Sequence, residues 1–132
     1  MNDLVNNQKT DLISLIHNDP HSLDLTKPFQ RDILLFQTDI AGTSFIKNFK
    51  QIKSELKIDQ ELLFLREPNN PHDKDAIVIQ TQTGQKLGYV PAADNPVFSR
   101  LMDAGKYLFG KIVSIEDKNN WSKIEINIFL RD

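Results

Sequence analysis

A chain of 132 residues, 39% hydrophobic and 26% charged, has the length of one domain and enough apolar content to bury a single core unaided. It has no cysteine, which excludes disulfide frameworks, thiolate zinc sites and cysteine nucleophiles, and fits a reducing cytoplasm. A formal net charge of -2 argues against broad coating of nucleic acid, which runs on many lysine and arginine contacts to phosphate, so any such binding must be small in footprint and aimed at a particular feature.

The N-terminal stretch MNDLVNNQKTDLISL has no basic segment followed by an apolar core, and no apolar run is long enough to cross a bilayer. The chain therefore reads as neither secreted nor membrane-spanning, and a cytoplasmic location is expected. DLISLIHN, residues 11–18, sets Leu12, Ile13, Leu15 and Ile16 on a helical stripe that Leu4 and Val5 extend upstream, and Pro20 ends it. HSLDLTKPFQRD reads as a connector, so residues 1–32 are expected to be an N-terminal helix and linker ahead of a domain spanning 33–132. His17, Asp19 and His21 have a spacing that invites a metal. Pro20 breaks the helix that would align them, no further ligand is nearby, and neither metal nor cofactor is expected.

ILLFQTDI, Ile33 to Ile40, has the length and apolar run of a buried strand, with a turn at Gly42. SFIKNFKQIKSELK then spaces Phe45, Phe49, Ile52 and Leu56 along one face of an amphipathic helix, capped by Thr43 or Ser44, with Lys47, Lys50, Lys53 and Lys57 on its flank and back. ELLFLRE, AIVIQT and KLGYV read as three strands, the last two joined through TQTGQ, where Gly84 supplies a positive φ. Asn95-Pro96 reads as an N-cap and first helical residue, starting a helix with Val97, Leu101 and Met102 inward and Gly105 as its stop. YLFGKIVSIE and WSKIEINIFL form a hairpin around DKNN, with Ile124, Ile126, Ile128 and Leu130 on one face. The expected fold is mainly β with α, a small six-stranded OB-like barrel with two core helices and the extra N-terminal helix.

Between the second and third strands lies REPNNPHDKDAI, residues 66–77, with far more turn chemistry than a hairpin link needs. Pro68 and Pro71 stiffen it, so that the residues from Asn69 to Asp75 can hold a fixed shape at low entropic cost. LFLREPNNPHDKDAIVI, then TGQKLGYVP, then NPVFSRLMDAG, in that order and over roughly residues 33–130, resembles the HIRAN domain. This module is found at the N-termini of Swi/Snf-type remodelling ATPases and as free-standing bacterial proteins. The resemblance implies a modified OB-like barrel that binds single-stranded DNA at a free 3′ end.

Carried onto this sequence, the resemblance makes Phe45 a base-stacking residue and Asp73 the acceptor for the terminal 3′ hydroxyl, with His72 before it where tyrosine is usual and Tyr89 after the glycine of the third strand-like motif. Ser44 and the Pro91-Ala92 region stand where the eukaryotic helicase-like member has arginine and lysine, and Lys47, Lys50, Lys74 or Lys86 are the candidates to replace those phosphate partners. Asn70 completes the candidate set. The chemistry of the residues agrees with this: a carboxylate accepts from a hydroxyl and repels a terminal phosphate, while Phe45 and Tyr89 offer stacking faces worth about 1–3 kcal/mol each.

Plainer readings stand beside these. Asn70 and Asp73 also suit a loop that bonds its own backbone, Phe45 also fits the inward stripe of its helix, and the lysines also suit a solvated face. His72, Asp73 and Asp75 invite a metal-dependent hydrolase acting on nucleic acid or nucleotides, but no nucleophile motif, phosphate loop or H-E-x-x-H accompanies them, and no catalysis is expected. The leading expectation is a module binding a single-stranded DNA end in repair or replication-fork processing, working with a helicase or other repair protein. The main alternative is a protein-interaction or adaptor domain, in which Phe45 is buried.

Overall fold

The computed structural model describes residues 31–132. The helix expected over 11–18 and the set His17, Asp19 and His21 lie outside the described residues. Asp32–Asp132 form one compact unit. It contains six strands, β1 (Asp32–Asp39), β2 (Glu61–Arg66), β3 (Ile77–Gln80), β4 (Lys86–Tyr89), β5 (Tyr107–Lys118) and β6 (Trp121–Arg131), and two helices, α1 (Phe49–Ser54) and α2 (Asn95–Asp103). All strand pairs are antiparallel, in the order β1-β6-β5-β2-β3-β4.

The sheet curls until its two ends meet. Ala41, just past β1, exchanges backbone hydrogen bonds of 2.8 and 2.9 Å with Tyr89 at the end of β4. The result is the expected OB-like architecture, mainly β with two helices. Alternation on β6 turns Ile124, Ile126 and Ile128 inward, where they meet Leu62, Ile77, Ile79, Leu87 and Ile112, all fully buried. Each such side chain contributes about 1.5–3 kcal/mol by leaving water. Gly84 has the expected positive φ of 95°, in a link where Thr81 Oγ1 accepts from the Gln85 amide at 3.0 Å.

Three expectations need correction. First, β1 is not a buried strand: among the described residues it lies at the sheet edge, pairs only with β6, and leaves Ile33, Leu34, Leu35 and Phe36 between 36 and 57% exposed. An apolar run identifies a strand, but strand order depends on partners remote in sequence.

Second, the helix expected over residues 44–57 is broken. A 3-10 turn, Thr43–Phe45, is followed by extended Ile46 and by Asn48 in the left-handed region at φ 60°, and only then does α1 begin. Asparagine tolerates that conformation better than most residues, so the break falls where the chain resists it least. Neither Thr43 nor Ser44 caps a helix. Gly42, at φ 77°, precedes the turn, and buried Thr43 donates to the Ser122 carbonyl at 3.4 Å. Phe49 and Ile52 pack against the core and Leu56 is buried in it, while Phe45 is cut off from their stripe.

Third, α2 begins at Asn95 with Asp94 as its cap; Leu101 and Met102 pack against the core as expected, but the buried positions ahead of them are Asn95, Phe98 and Ser99 rather than Val97. Val97 is 60% exposed. Two of the five inward positions, Asn95 and Ser99, are polar, so a hydrophobic count misses them and turns Val97 inward in their place. Its end is as expected: Gly105 at φ 94° donates to the Met102 carbonyl at 2.9 Å, and Lys106 donates to that of Leu101 at 3.0 Å.

Candidate functional site

The loop between β2 and β3 is held from both ends. Arg66, the last residue of β2, donates through Nη1 to the Ala76 carbonyl at 2.8 Å and through Nη2 to the Lys74 carbonyl at 3.1 Å, and forks onto Asp103 of α2 at 2.9 and 3.1 Å. A planar fork with several fixed donors suits this clasp; a lysine would not reproduce it. Within the loop, Asn70 Oδ1 accepts the backbone amides of His72 and Asp73 at 2.8 and 3.1 Å, and its Nδ2 donates to Glu67 Oε1 at 2.9 Å. The local turn chemistry read from the sequence is therefore present, and it sets the direction in which Asp73 projects.

Each oxygen of Asp73 has one neutral donor. Oδ1 accepts the Asp75 amide at 2.9 Å and Oδ2 accepts Asn95 Nδ2 at 2.8 Å. The Asn95 amide, the Asp75 amide and the field of Arg66 hold the Asp73 carboxyl below the usual aspartate value. Asp73 is thus an anionic acceptor at neutral pH.

A groove of about 310 Å³ opens beside it, lined by Ala41, Asn70, His72, Asp73, Tyr89 and Asn95, together with Ala76, Val90 and Ala92. Tyr89 reaches the groove from β4. Its hydroxyl donates to Glu67 Oε1 at 2.9 Å and accepts from Lys86 Nζ at 2.8 Å, while the same ammonium lies 4.4 Å from the centre of the ring. Hydrogen bonds from Asn70 and Tyr89, with Lys86 nearby, lower the Glu67 carboxyl from its ordinary value. Glu67 therefore links the loop to β4.

Of the residues singled out from the sequence, Asn70, His72, Asp73 and Tyr89 share this groove, and Lys86 touches it through Tyr89. Phe45 does not line the groove. It stands on the 3-10 turn four residues past Ala41, 90% exposed and free of the core. Lys74 is exposed on the loop and Lys47 on the segment ahead of α1. Lys50 belongs to a second, larger depression of about 750 Å³ between the 3-10 turn, α1 and the tip of the β5–β6 hairpin, lined also by Ser44, Phe49 and Trp121. Lys53 is not on a solvated face, because it pairs with Asp117 and donates to Ser122 Oγ at 3.2 Å.

Sequence reasoning missed Glu67, Asn95, Arg66 and Trp121 as parts of these surfaces. A signal existed for Asn95: with Ser99 it forms a polar i, i+4 pair on an otherwise apolar helix face, and buried polar groups need partners. Among the described residues, no three histidine, aspartate or glutamate side chains come together as a metal site, and no helix is long and apolar enough to cross a membrane.

Comparison with known proteins places this arrangement in a family. The HIRAN domain pattern matches residues 33–131. No curated protein matches the chain. A crystal structure of a protein from Lactobacillus plantarum is similar at 22% identity, with a TM-score of 0.72, over 78% of this chain and 98% of that one. The crystal structure of the HIRAN domain of human HLTF is similar at 17% identity, with a TM-score of 0.60, over 76% of this chain and 78% of that one. The chain belongs to the HIRAN domain family.

Proposed function

We propose that this HIRAN domain is a nucleic-acid-binding module that takes the free 3′ hydroxyl end of a single strand into the groove beside Asp73. The observation that carries the reading is the state of that carboxylate: ionised, fixed by two neutral donors, and lining an open groove with Tyr89 and His72. A hydroxyl can donate to it, whereas a terminal phosphate meets like charge in a partly desolvated site. Exposed Phe45, on the turn that follows Ala41, offers a face for a base next to the end. The depression with Lys50 and Trp121 offers a cation and an aromatic ring farther along. An end-directed footprint of this size fits a chain whose net charge is -2. The physiological setting that follows is processing of exposed 3′ ends in repair or at stalled forks, beside a helicase or another repair protein.

The test is fluorescence anisotropy with a short labelled oligonucleotide ending in a 3′ hydroxyl or a 3′ phosphate, for the wild type and Asp73→Ala. The expected result is preference for the hydroxyl end in the wild type and its loss in the variant. Absence of binding to either end at low salt would defeat the reading. A second reading, an adaptor that docks a protein, has its own observation in the exposed apolar edge of β1, Ile33 to Phe36. Phe45, which that reading requires to be buried, is exposed.

A further inference from the structure

Two side chains of α2, one turn apart, reach across to the loop. Asn95 is 2% exposed and donates to Asp73 Oδ2 at 2.8 Å; Ser99, one turn on and fully buried, shares its single hydroxyl proton between Asp75 Oδ1 at 3.3 Å and the Pro96 carbonyl at 3.0 Å. Burying a carboxamide is unfavourable unless its hydrogen bonds are made, so its place at the base of an open groove asks for a reason beyond packing. A leucine or alanine there would extend the apolar stripe of Phe98 and Met102 at no such penalty.

The chemistry of the pair supplies the reason. A carboxylate only accepts, so the amide edge facing it must be the NH2, and Asn95 is fixed in one orientation with its Oδ1 turned away from Asp73. The donor is neutral. A lysine or arginine in its place would hold Asp73 as firmly while cancelling its charge, and a groove with a neutralised carboxylate would admit a phosphate nearly as readily as a hydroxyl. Asn95 fixes the direction of the carboxylate and leaves its charge whole. The Asp75 amide does the same for the other oxygen, so each oxygen of Asp73 keeps acceptor capacity for a ligand.

We infer that Asn95 is the positioning residue that makes the Asp73 groove selective for a hydroxyl-terminated strand over a phosphate-terminated one. It acts through Asp73, and the assignment rests on the end-recognition reading above.

The test compares the ratio of affinities for 3′ hydroxyl and 3′ phosphate oligonucleotides in four proteins: wild type, Asn95→Leu, Asp73→Ala, and the double variant. Thermal melting is run on each, and Asn95→Ala replaces the leucine variant if that one fails to fold. Losing a hydrogen bond to a charged partner is expected to lower the hydroxyl preference roughly tenfold in Asn95→Leu. The double variant is expected to match Asp73→Ala to within about twofold, because the two residues act as one unit. Equal weakening toward both oligonucleotides, or losses that multiply in the double variant, would assign Asn95 a structural role alone and overturn the inference. A wild type with no hydroxyl preference would overturn the end-recognition reading and this assignment together, whereas an intact wild-type preference with an unchanged Asn95→Leu ratio would overturn only the assignment.

Discussion

Gly88 passes so close to Ala41 that a Cβ on the glycine would lie 2.3 Å from the Ala41 carbonyl oxygen and 2.7 Å from Ile40 Cγ2. This contact is where the curled sheet closes, beside the Ala41–Tyr89 bridge, and both of those residues line the groove. Gly88 also has a φ of 155°, at the limit of what L side chains adopt. The atom in the way is backbone, so no rotamer change relieves the clash.

Gly88→Ala is therefore expected to open the closure as well as strain it. Forcing an extra methyl into a packed site costs about 1–3 kcal/mol, which equilibrium urea denaturation would register as a lower midpoint. The variant should also lose oligonucleotide binding at temperatures where it stays folded, because Tyr89 moves away from Ala41. A midpoint equal to that of the wild type would show that the closure is looser than these distances imply.

Phe45 offers the opposite separation of stability from binding. It is 90% exposed and stands apart from the core. Phe45→Ala should leave stability unchanged within about 0.5 kcal/mol, as surface substitutions do. If a base stacks on the ring, affinity for a single strand should fall by about 1–3 kcal/mol, which is roughly 5- to 150-fold. Phe49→Ala, which removes a ring packed against the core, should instead lower the melting temperature. Unchanged affinity in Phe45→Ala would remove the 3-10 turn from the binding surface.

The contrast between these two phenylalanines also marks how far the sequence could be read. Period alone puts Phe45 and Phe49 on one helical face. What separates them is the left-handed conformation of Asn48, a backbone choice that no spacing of hydrophobic residues reveals. Where structure follows from local chemistry, it was legible: the alternation of Ile124, Ile126 and Ile128, the glycine stop at Gly105, and the proline and asparagine loop that orients Asp73. Where it depends on partners distant in the chain, it was not. β1 reads as buried because edge position depends on strand order, and Asn95 reads as a helix cap because its partner, Asp73, is 22 residues upstream. The candidate site was thus half visible, with the loop apparent and the helix that holds it hidden.

Glu67 carries a pH dependence whose sign follows from its hydrogen bonds. It accepts from the Asn70 amide and then from the Tyr89 hydroxyl, and its folded pKa lies below the ordinary glutamate value of 4.5. A depressed folded pKa contributes stability that is fully present above the unfolded value and is lost as pH falls through the folded one. The contribution of Glu67 is therefore complete above about pH 5, begins to fall near 4.5 and is lost as pH drops through the lower folded value. Asp32, Asp73, Asp103 and Asp117 are also lowered, by their own partners, from 3.8, so the whole domain should weaken further as pH falls below about 4. That shared slope cancels when Glu67→Gln is compared with the wild type at each pH from 3 to 6. The stability difference should be largest at pH 6 and shrink as pH falls toward 3, measured by denaturant titration. Binding at neutral pH should suffer more in Glu67→Ala than in Glu67→Gln, because the glutamine oxygen still accepts the Tyr89 hydroxyl, whereas alanine leaves that hydroxyl with Lys86 alone. A pH-independent difference would mean that Glu67 acts through shape rather than charge, and that Tyr89 is oriented by the sheet closure at Ala41 instead.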